Sequence, residues 1–379
     1  MGYVSKVFLV VVFVVVVAVG IFLFKYQDFL NKPTFESPEL PQAQSLQDAG
    51  QEKDIPKVAI LARNLEIPWS LVFLPDGSIL FTERPGRVRM IGVGGKPASE
   101  SIYTVGDVKA QGEGGLLGIT IDPEFAKNRY VYIYYTYSGG DNTLNRVARF
   151  KFDGKSFSDR KVIVDSIPGA SNHNGGRIKF GPDGYLYITA GDSQKPSLAQ
   201  DTNSLAGKIL RVDRDGNSAV GNSFGNRVYS YGHRNPQGLA WDSSGQLWET
   251  EHGNSRHDEV NKIGMGKNYG WPTIGGQETK AGMEKSVRES GEDTWAPSGL
   301  LFYNNSLFWA GLRGSALFEV KDPLGSAKFT VHFKNEYGRL RDVVLGSDGL
   351  FYVLTNNRDG RGQVMDGDDK ILVINPKKL

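Results

Sequence analysis

The chain has 379 residues, of which 39% are hydrophobic, 11% aromatic and 23% charged, a balance that excludes a disordered or fibrous polymer. A net charge of +2 is too small for blanket neutralisation of phosphates, so no nucleic-acid partner is expected. With no cysteine, disulfide staples, thiolate zinc sites, iron–sulfur clusters and a cysteine nucleophile are excluded as well.

The chain opens with a run from Val7 to Phe24 that carries no charge and lies between Lys6 and Lys25. At about 1.5 Å per residue this run spans roughly 27 Å, enough to cross a bilayer core. Ala18-Val19-Gly20 has the small-x-small form of a signal-peptide cleavage site, but Ile21 to Phe24 carries the apolar run past it. The reading is therefore an uncleaved transmembrane anchor over 1–25, with the remainder of the chain held outside the cytoplasm. Residues 26–56 read as a flexible tether, with Pro33, Pro38 and Pro41 ahead of a polar stretch that has no apolar period.

From residue 57 to 379 one unit keeps returning. FLPDGSILFTERPGRVRMI (73–91), FGPDGYLYITAGD (180–192), WDSSGQLWETEHG (241–253) and LGSDGLFYVLTNNRDG (345–360) each place an apolar residue, a D-G or S-G turn and an alternating strand in that order. The glycine supplies a positive φ, and the alternation has the period of a half-buried strand. IDPEFAKNRYVYIYYTY (121–137) is a degenerate copy, and SALFEV (315–320) marks a sixth. Six units give about 54 residues each, the length of a four-stranded blade. The expected fold is all-β, a six-bladed β-propeller of four-stranded antiparallel sheets behind one transmembrane helix. A two-sheet sandwich fits the even spacing of the turns less well.

Propellers carry function in the loops around the channel, and four stretches concentrate polar residues there. They are QGEGGLLGI (111–119); SNHNGGRIKFGPDGYLYITAGD (171–192); SYGHRNPQGLAWD (230–242) with TEHGNSRHDEVNKIGMGKNYGWP (250–272); and GRLRDV (338–343). A neutral imidazole at His173 suits removal of a hydroxyl proton near pH 7; the alternative is a histidine that merely holds a turn. Arg339 and Arg341 alternate, so on a regular strand they face one side and suit two carboxylates of one ligand. His252 and His257 are five apart, off the face of a zinc-binding HExxH helix. No G-x-G-x-x-G stands between a strand and a helix, which disfavours a nicotinamide enzyme.

Taken together, these stretches resemble the soluble-type pyrroloquinoline quinone (PQQ)-dependent sugar dehydrogenases, the glucose/sorbosone dehydrogenase family, from about residue 58 to 375 and in the family's order. GHRNPQGLAW and NYGWP are the most specific of the motifs. The resemblance implies His173 as catalytic base, Asp192 as the carboxylate that orients it, and Arg234 as the cation beside the reduced quinone. It implies cofactor contacts from Glu113, His173, Arg234, Asn235, Gln237, Arg313, Arg339 and Arg341. Glu113 stands where relatives often carry glutamine, Asn172 where they can carry aspartate, and Arg313 near a family lysine. For calcium it implies the backbone carbonyls of Gly253 and Asn254, the latter in place of a usual proline. Asp258 and Glu259 match family carboxylates, with Glu259 serving a second, structural calcium.

The implied activity is PQQ- and calcium-dependent oxidation of the anomeric hydroxyl of an aldose to a lactone, with electrons passed to an external quinone or cytochrome. Two other functions compete. A calcium-dependent propeller lactonase would use the metal and His173 to activate water, and a membrane-anchored propeller without catalysis would act as a binding module.

Overall fold

The computed structural model describes residues 55–95, 100–325 and 328–379. The expected anchor and all but the last two residues of the expected tether lie outside them. Among the described residues no helix is long and apolar enough to cross a membrane. From Ile55 to Leu379 the chain forms one compact unit.

Six four-stranded antiparallel sheets follow one another along the chain as the blades of a propeller. Blade 1 comprises Pro68–Phe73, Ile79–Glu83, Arg87–Ile91 and Tyr103–Thr104. Blade 2 comprises Leu116–Ile121, Tyr130–Gly139, Asn142–Phe152 and Phe157–Pro168. Blades 3, 4 and 5 begin on the inner strands Ile178–Phe180, Pro236–Trp241 and Pro297–Tyr303. Blade 6 runs Leu340–Leu345, Phe351–Thr355 and Ile371–Ile374, and takes its outer strand, Val58–Ala62, from the start of the propeller. That antiparallel pairing, with Val58 opposite Ile374, ties the first blade to the last.

The turn aspartates explain why the repeat is legible. Asp183 accepts a hydrogen bond from the backbone N–H of Tyr185 at 3.2 Å, and Asp348 does the same for Leu350 at 3.1 Å. The second carboxylate oxygen of each accepts from an aromatic group on the following strand: Tyr187 Oη at 2.9 Å and Tyr352 Oη at 2.9 Å. Asp242 holds Trp248 Nε1 in the same way at 2.9 Å. One side chain thus fixes both the turn and the first aromatic anchor of the strand.

Two expectations change. The strands after the turns are not half-buried: Ile79–Glu83, Leu186–Ala190 and Leu247–Glu251 are buried at every position. Each blade is covered by a neighbour on both faces, so alternation there separates two blade interfaces rather than core from water. In blade 5 the segment 315–320 is not the repeat strand. The equivalent strand is Ser306–Gly311, reached through Asn304 and Asn305, both left-handed at φ 48° and 60°, and Ala316–Lys321 is the next strand out. Asparagine tolerates that conformation and does here what Asp-Gly does elsewhere.

At one level of the channel each blade contributes one residue: Ser70, Gly118, Arg177, Gly238, Gly299 and Asp342. Three are glycines because neighbours press in; a Cβ on Gly299 would lie 2.0 Å from Asp342 Oδ1, and one on Gly118 would lie 2.3 Å from the Gly176 carbonyl. Arg177 fills the axis. Its Nη1 donates to Asp342 Oδ2 at 2.7 Å and Ser70 Oγ at 3.0 Å, and its Nε donates to the Gln237 carbonyl at 2.9 Å. The guanidinium also lies 4.4 Å from the Trp69 ring. One side chain therefore joins blades 1, 3, 4 and 6. Removing one partner of a buried pair leaves an uncompensated charge, so Asp342→Ala should cost about 3–5 kcal/mol of unfolding free energy in a denaturant titration. Asp342→Leu combined with Arg177→Met should recover most of that loss; a single-variant cost below about 1 kcal/mol would show that the pair is not a structural pin.

Candidate active site

In these blades the residues before each inner strand and those after each second strand share one end of the channel, opposite the Asp-Gly turns. Glu113 precedes Leu116–Ile121, His173 precedes Ile178–Phe180, Arg234 precedes Pro236–Trp241 and Arg339 precedes Leu340–Leu345. Asp192, His252 and Asp359 follow the second strands of blades 3, 4 and 6. The topology alone thus gathers the polar loops at one mouth.

His173 Nδ1 lies 2.7 Å from Asp192 Oδ1. Asp192 is fully buried, and its other oxygen accepts from Trp271 Nε1 at 2.8 Å, so the carboxylate cannot swing away. Gly191 permits the approach, since a Cβ there would sit 2.1 Å from the His173 carbonyl oxygen. His173 itself is left-handed at φ 59°, a conformation costing on the order of 1 kcal/mol or more outside glycine. Its N–H is held by Glu113 Oε2 at 3.0 Å. With Nδ1 committed to Asp192, Nε2 is the nitrogen left for a substrate proton.

Several arginines stand around this dyad. Arg234 donates to the His252 carbonyl at 3.2 Å and lies 5.3 Å from the Trp271 ring. Arg341 donates to Asn356 Oδ1 at 3.0 Å and Gln237 Oε1 at 2.7 Å, and burial pulls its guanidinium down to about 9. Arg339 pairs with Asp359 at 2.9 Å. The register shifts between Leu340 and Asp342, so Arg341 is the extra residue of a bulge and the regular alternation expected of the two arginines is broken. Arg341 reaches the channel axis, while Arg339 lines a cavity of about 290 Å³ with Arg313, Asn357 and Arg361. Arg313 is exposed. Gln237 is buried and holds Arg341 through its amide oxygen; Asn235 Oδ1 accepts from the Gly175 N–H at 3.1 Å, steadying the loop behind His173.

Several buried nitrogens here have no partner among the described residues: Nε of Arg84, Arg234 and Arg339, Nδ2 of Asn235 and Asn356, and Nε2 of His252. Leaving one such donor unsatisfied costs about 1–3 kcal/mol, so a group of them describes a site built for an acceptor-rich ligand. Burial pushes the His252 imidazole down to about 4, so it is neutral at pH 7.

Glu113 answers a question raised by its own charge. Arg361 Nη1 donates to Glu113 Oε1 at 2.7 Å, and Nη2 donates to Asn172 Oδ1 at 3.1 Å. Burial works to raise the Glu113 carboxyl, but His252, Arg361 and the His173 N–H outweigh it and hold it down to about 2. Arg361 thus joins Glu113 and Asn172, two of the positions at which the resemblance implies a different residue. Arg361 lies outside the quoted motifs, and Arg84 stands in a repeat unit that assigns it no role; Trp271 stands in NYGWP, but its contact with Asp192, 79 residues away, escapes sequence reasoning.

The loop 252–258 is shaped by Asp258, whose Oδ1 accepts from the Gly253 N–H at 2.9 Å and whose Oδ2 accepts from the N–H groups of Trp295 and Ala296. The Gly253 and Asn254 carbonyl oxygens accept no hydrogen bond from the described residues, which leaves them free for a hard cation. With Arg234, His252 and Trp271 they line a cavity of about 510 Å³. Glu259 reaches the same cavity but is held by the Gly276 N–H and by Asn261 Nδ2 at 3.0 Å. Glu249, Glu251 and Glu259 lie on paired strands, and burial raises all three, Glu251 and Glu259 to about 8. Glu249 Oε1 and Asn261 Oδ1 are buried without a partner, an oxygen set suited to a second hard cation. His233 lies with Glu249 and Glu251, both ring nitrogens hydrogen-bonded, and stacks on Tyr269 at 4.8 Å. His257 is exposed and paired with Glu289.

The depressed Glu113 carboxyl contributes stability that is fully present above its unfolded value and is lost as pH falls through the folded one. Arg361→Ala removes a cation that depresses it, so the acid limb of a stability-versus-pH curve should move to higher pH. An unchanged acid limb would contradict the charge assignment.

Residues 65–366 match the sequence model of the glucose/sorbosone dehydrogenases. The chain is 35% identical to the aldose sugar dehydrogenase YliI of Escherichia coli, over 80% of this chain and 91% of that protein. It is 31% identical to quinoprotein glucose dehydrogenase B of Acinetobacter calcoaceticus, over 84% and 89% respectively. Among solved structures, the PQQ-bound aldose sugar dehydrogenase of Streptomyces coelicolor superposes with a TM-score of 0.78 at 38% identity, covering 84% of this chain and 98% of that one. The His173–Asp192 dyad, the arginine-lined mouth and these likenesses agree: this chain belongs to the glucose/sorbosone dehydrogenase family.

Proposed function

We infer that the protein is a PQQ-dependent dehydrogenase that oxidises the anomeric hydroxyl of aldose sugars to lactones. The observation that carries this is the set of buried nitrogens on Arg84, Arg234, Arg339 and Asn235 that have no partner among the described residues. PQQ, when bound, supplies an ortho-quinone that accepts hydride, and its carboxylate and quinone oxygens would be acceptors for those nitrogens. Arg84, Arg234, Arg339 and Asn235 would hold it, with Arg341 fixed beside them by Gln237 and Asn356, and Arg313 at the rim. Fixed guanidinium groups in a site with little water favour the negative charge that develops on reduction. A neutral lactone needs no such group of arginines, which argues against hydrolysis, and a non-catalytic binding module needs no histidine–aspartate dyad.

His173 Nε2 accepts the proton of the anomeric hydroxyl. Asp192 keeps Nδ1 protonated and stabilises the imidazolium that forms, while Trp271 holds Asp192 in place. Calcium fits the Gly253 and Asn254 carbonyls on the cofactor side, and the Glu259 group is the second oxygen-rich set. The uncharged run from Val7 to Phe24 supports a membrane anchor with the propeller outside the cytoplasm, where an external quinone or cytochrome takes the electrons.

His173→Gln should keep the fold and PQQ binding yet lower kcat by about 100- to 10,000-fold, because a general base acts on the chemical step. Asp192→Asn should lose less. The reductive half-reaction, followed by PQQ absorbance after rapid mixing with an aldose, isolates the step. Reduction at the parental rate in His173→Gln would remove the histidine from the mechanism.

A further inference from the structure

The channel has a second end. On the face carrying the Asp-Gly turns it widens into a cavity of about 240 Å³, lined by the outward halves of the inner strands. Most of its wall is apolar, including Leu71, Ile119, Leu239 and Val344. The charged groups lining it are Arg177, Lys179 and Asp342, with the Ser70 and Thr120 hydroxyls beside them. Asp342 is already engaged: Oδ2 takes Arg177 Nη1 at 2.7 Å and Oδ1 takes the Val343 N–H at 3.1 Å. Arg177 is 5% exposed, yet its Nη2 is buried with no hydrogen-bond partner among the described residues. Lys179 Nζ has one contact, the Leu239 carbonyl at 3.3 Å.

Two cations therefore share one carboxylate beside a largely apolar wall. Lys179 is half-buried, whereas Arg177 Nη2 is buried and, among the described residues, has no acceptor; a buried donor left without one is costly, and a bound anion would supply it. Burial pushes the Lys179 ammonium down to about 8; the Asp342 carboxylate opposes that shift and the Arg177 guanidinium adds to it.

We propose that this cavity is an anion site, taking a small monovalent inorganic ion of the chloride type between Arg177 Nη2 and Lys179 Nζ. The excess charge is a single unit, so one monovalent ion neutralises it; a phosphate would place further negative charge beside Asp342. The site is separate from the catalytic mouth, because the Arg177–Asp342 pair closes the channel between them. Gln237 marks the boundary: its side-chain oxygen takes Arg341 on the catalytic side, and its backbone oxygen takes Arg177. An ion here would complete the charge balance of the axial pin without touching sugar or cofactor.

Bromide is the probe. Crystals of the cofactor-free protein soaked in bromide should show an anomalous peak within hydrogen-bond reach of Arg177 Nη2 and Lys179 Nζ. In solution, bromide should raise the melting temperature above that in methanesulfonate at equal ionic strength. Lys179→Met should bind bromide at least about tenfold more weakly, the loss expected of one charge-assisted contact, while titrating PQQ like the parent. Should that variant fail to fold, Thr120→Leu, which fills the cavity, must abolish the same bromide increment. Water alone at this position in soaked parental crystals would overturn the proposal, as would bromide stabilisation equal in parent and variants.

Discussion

The Arg177–Asp342 pair at the channel axis is the constraint on which the rest of the molecule depends. It spans 165 residues of sequence and is buried on both sides, 6% and 4% exposed at the side chains. Such a pair is not a strong source of stability, because desolvation offsets much of the attraction. What it supplies is position. Three glycines at the same level let six inner strands close around one guanidinium, and that guanidinium touches four blades. Gln237 extends the pin upward, since its two oxygens hold Arg177 and Arg341. The catalytic mouth is therefore built on the plug of the channel, not merely placed above it.

Above the plug the design is one of deliberate charge excess. Glu113 and Asp359 each neutralise one arginine, Arg361 and Arg339, while among the described residues no carboxylate forms an ion pair with Arg84, Arg234 or Arg341. Burial lowers the pKa of all three. Holding cations in that state costs stability in the empty protein and favours a ligand with several anionic oxygens. Glu113 would be unfavourable beside such a ligand were it not bound to Arg361, and it has a second task in holding the left-handed backbone at His173.

Much of this is readable in the sequence, and the parts that are not share a physical cause. Four blades are legible because an Asp-Gly or Ser-Gly turn and the strand after it are a local signal within about a dozen residues. Blade 5 is misplaced by that signal because Asn304-Asn305 makes the same turn with different chemistry. The motif residues His173, Asp192, Arg234 and Arg341 all come to one mouth, as the likeness implies. Arg84, Arg361 and the Trp271–Asp192 contact escape notice because they are long-range pairings, up to 248 residues apart for Arg361 and Glu113, carried by loops with no spacing rule. Arg177 stands inside a recognised motif, N-H-N-G-G-R, yet its partner Asp342 lies in another. Only closure of the ring brings the two together.

The account rests on removal of the anomeric hydroxyl proton by His173 as hydride leaves the same carbon. The most direct measurement is the reduction of bound PQQ by matched sugars in a single turnover, read by absorbance. An aldose carrying deuterium at C1 should reduce the cofactor more slowly than its protium form, and the corresponding 1,5-anhydro sugar, which lacks the anomeric hydroxyl, should leave it oxidised. Reduction by the anhydro sugar at the rate of the aldose would contradict the account, because no proton would then stand where His173 is placed to take it.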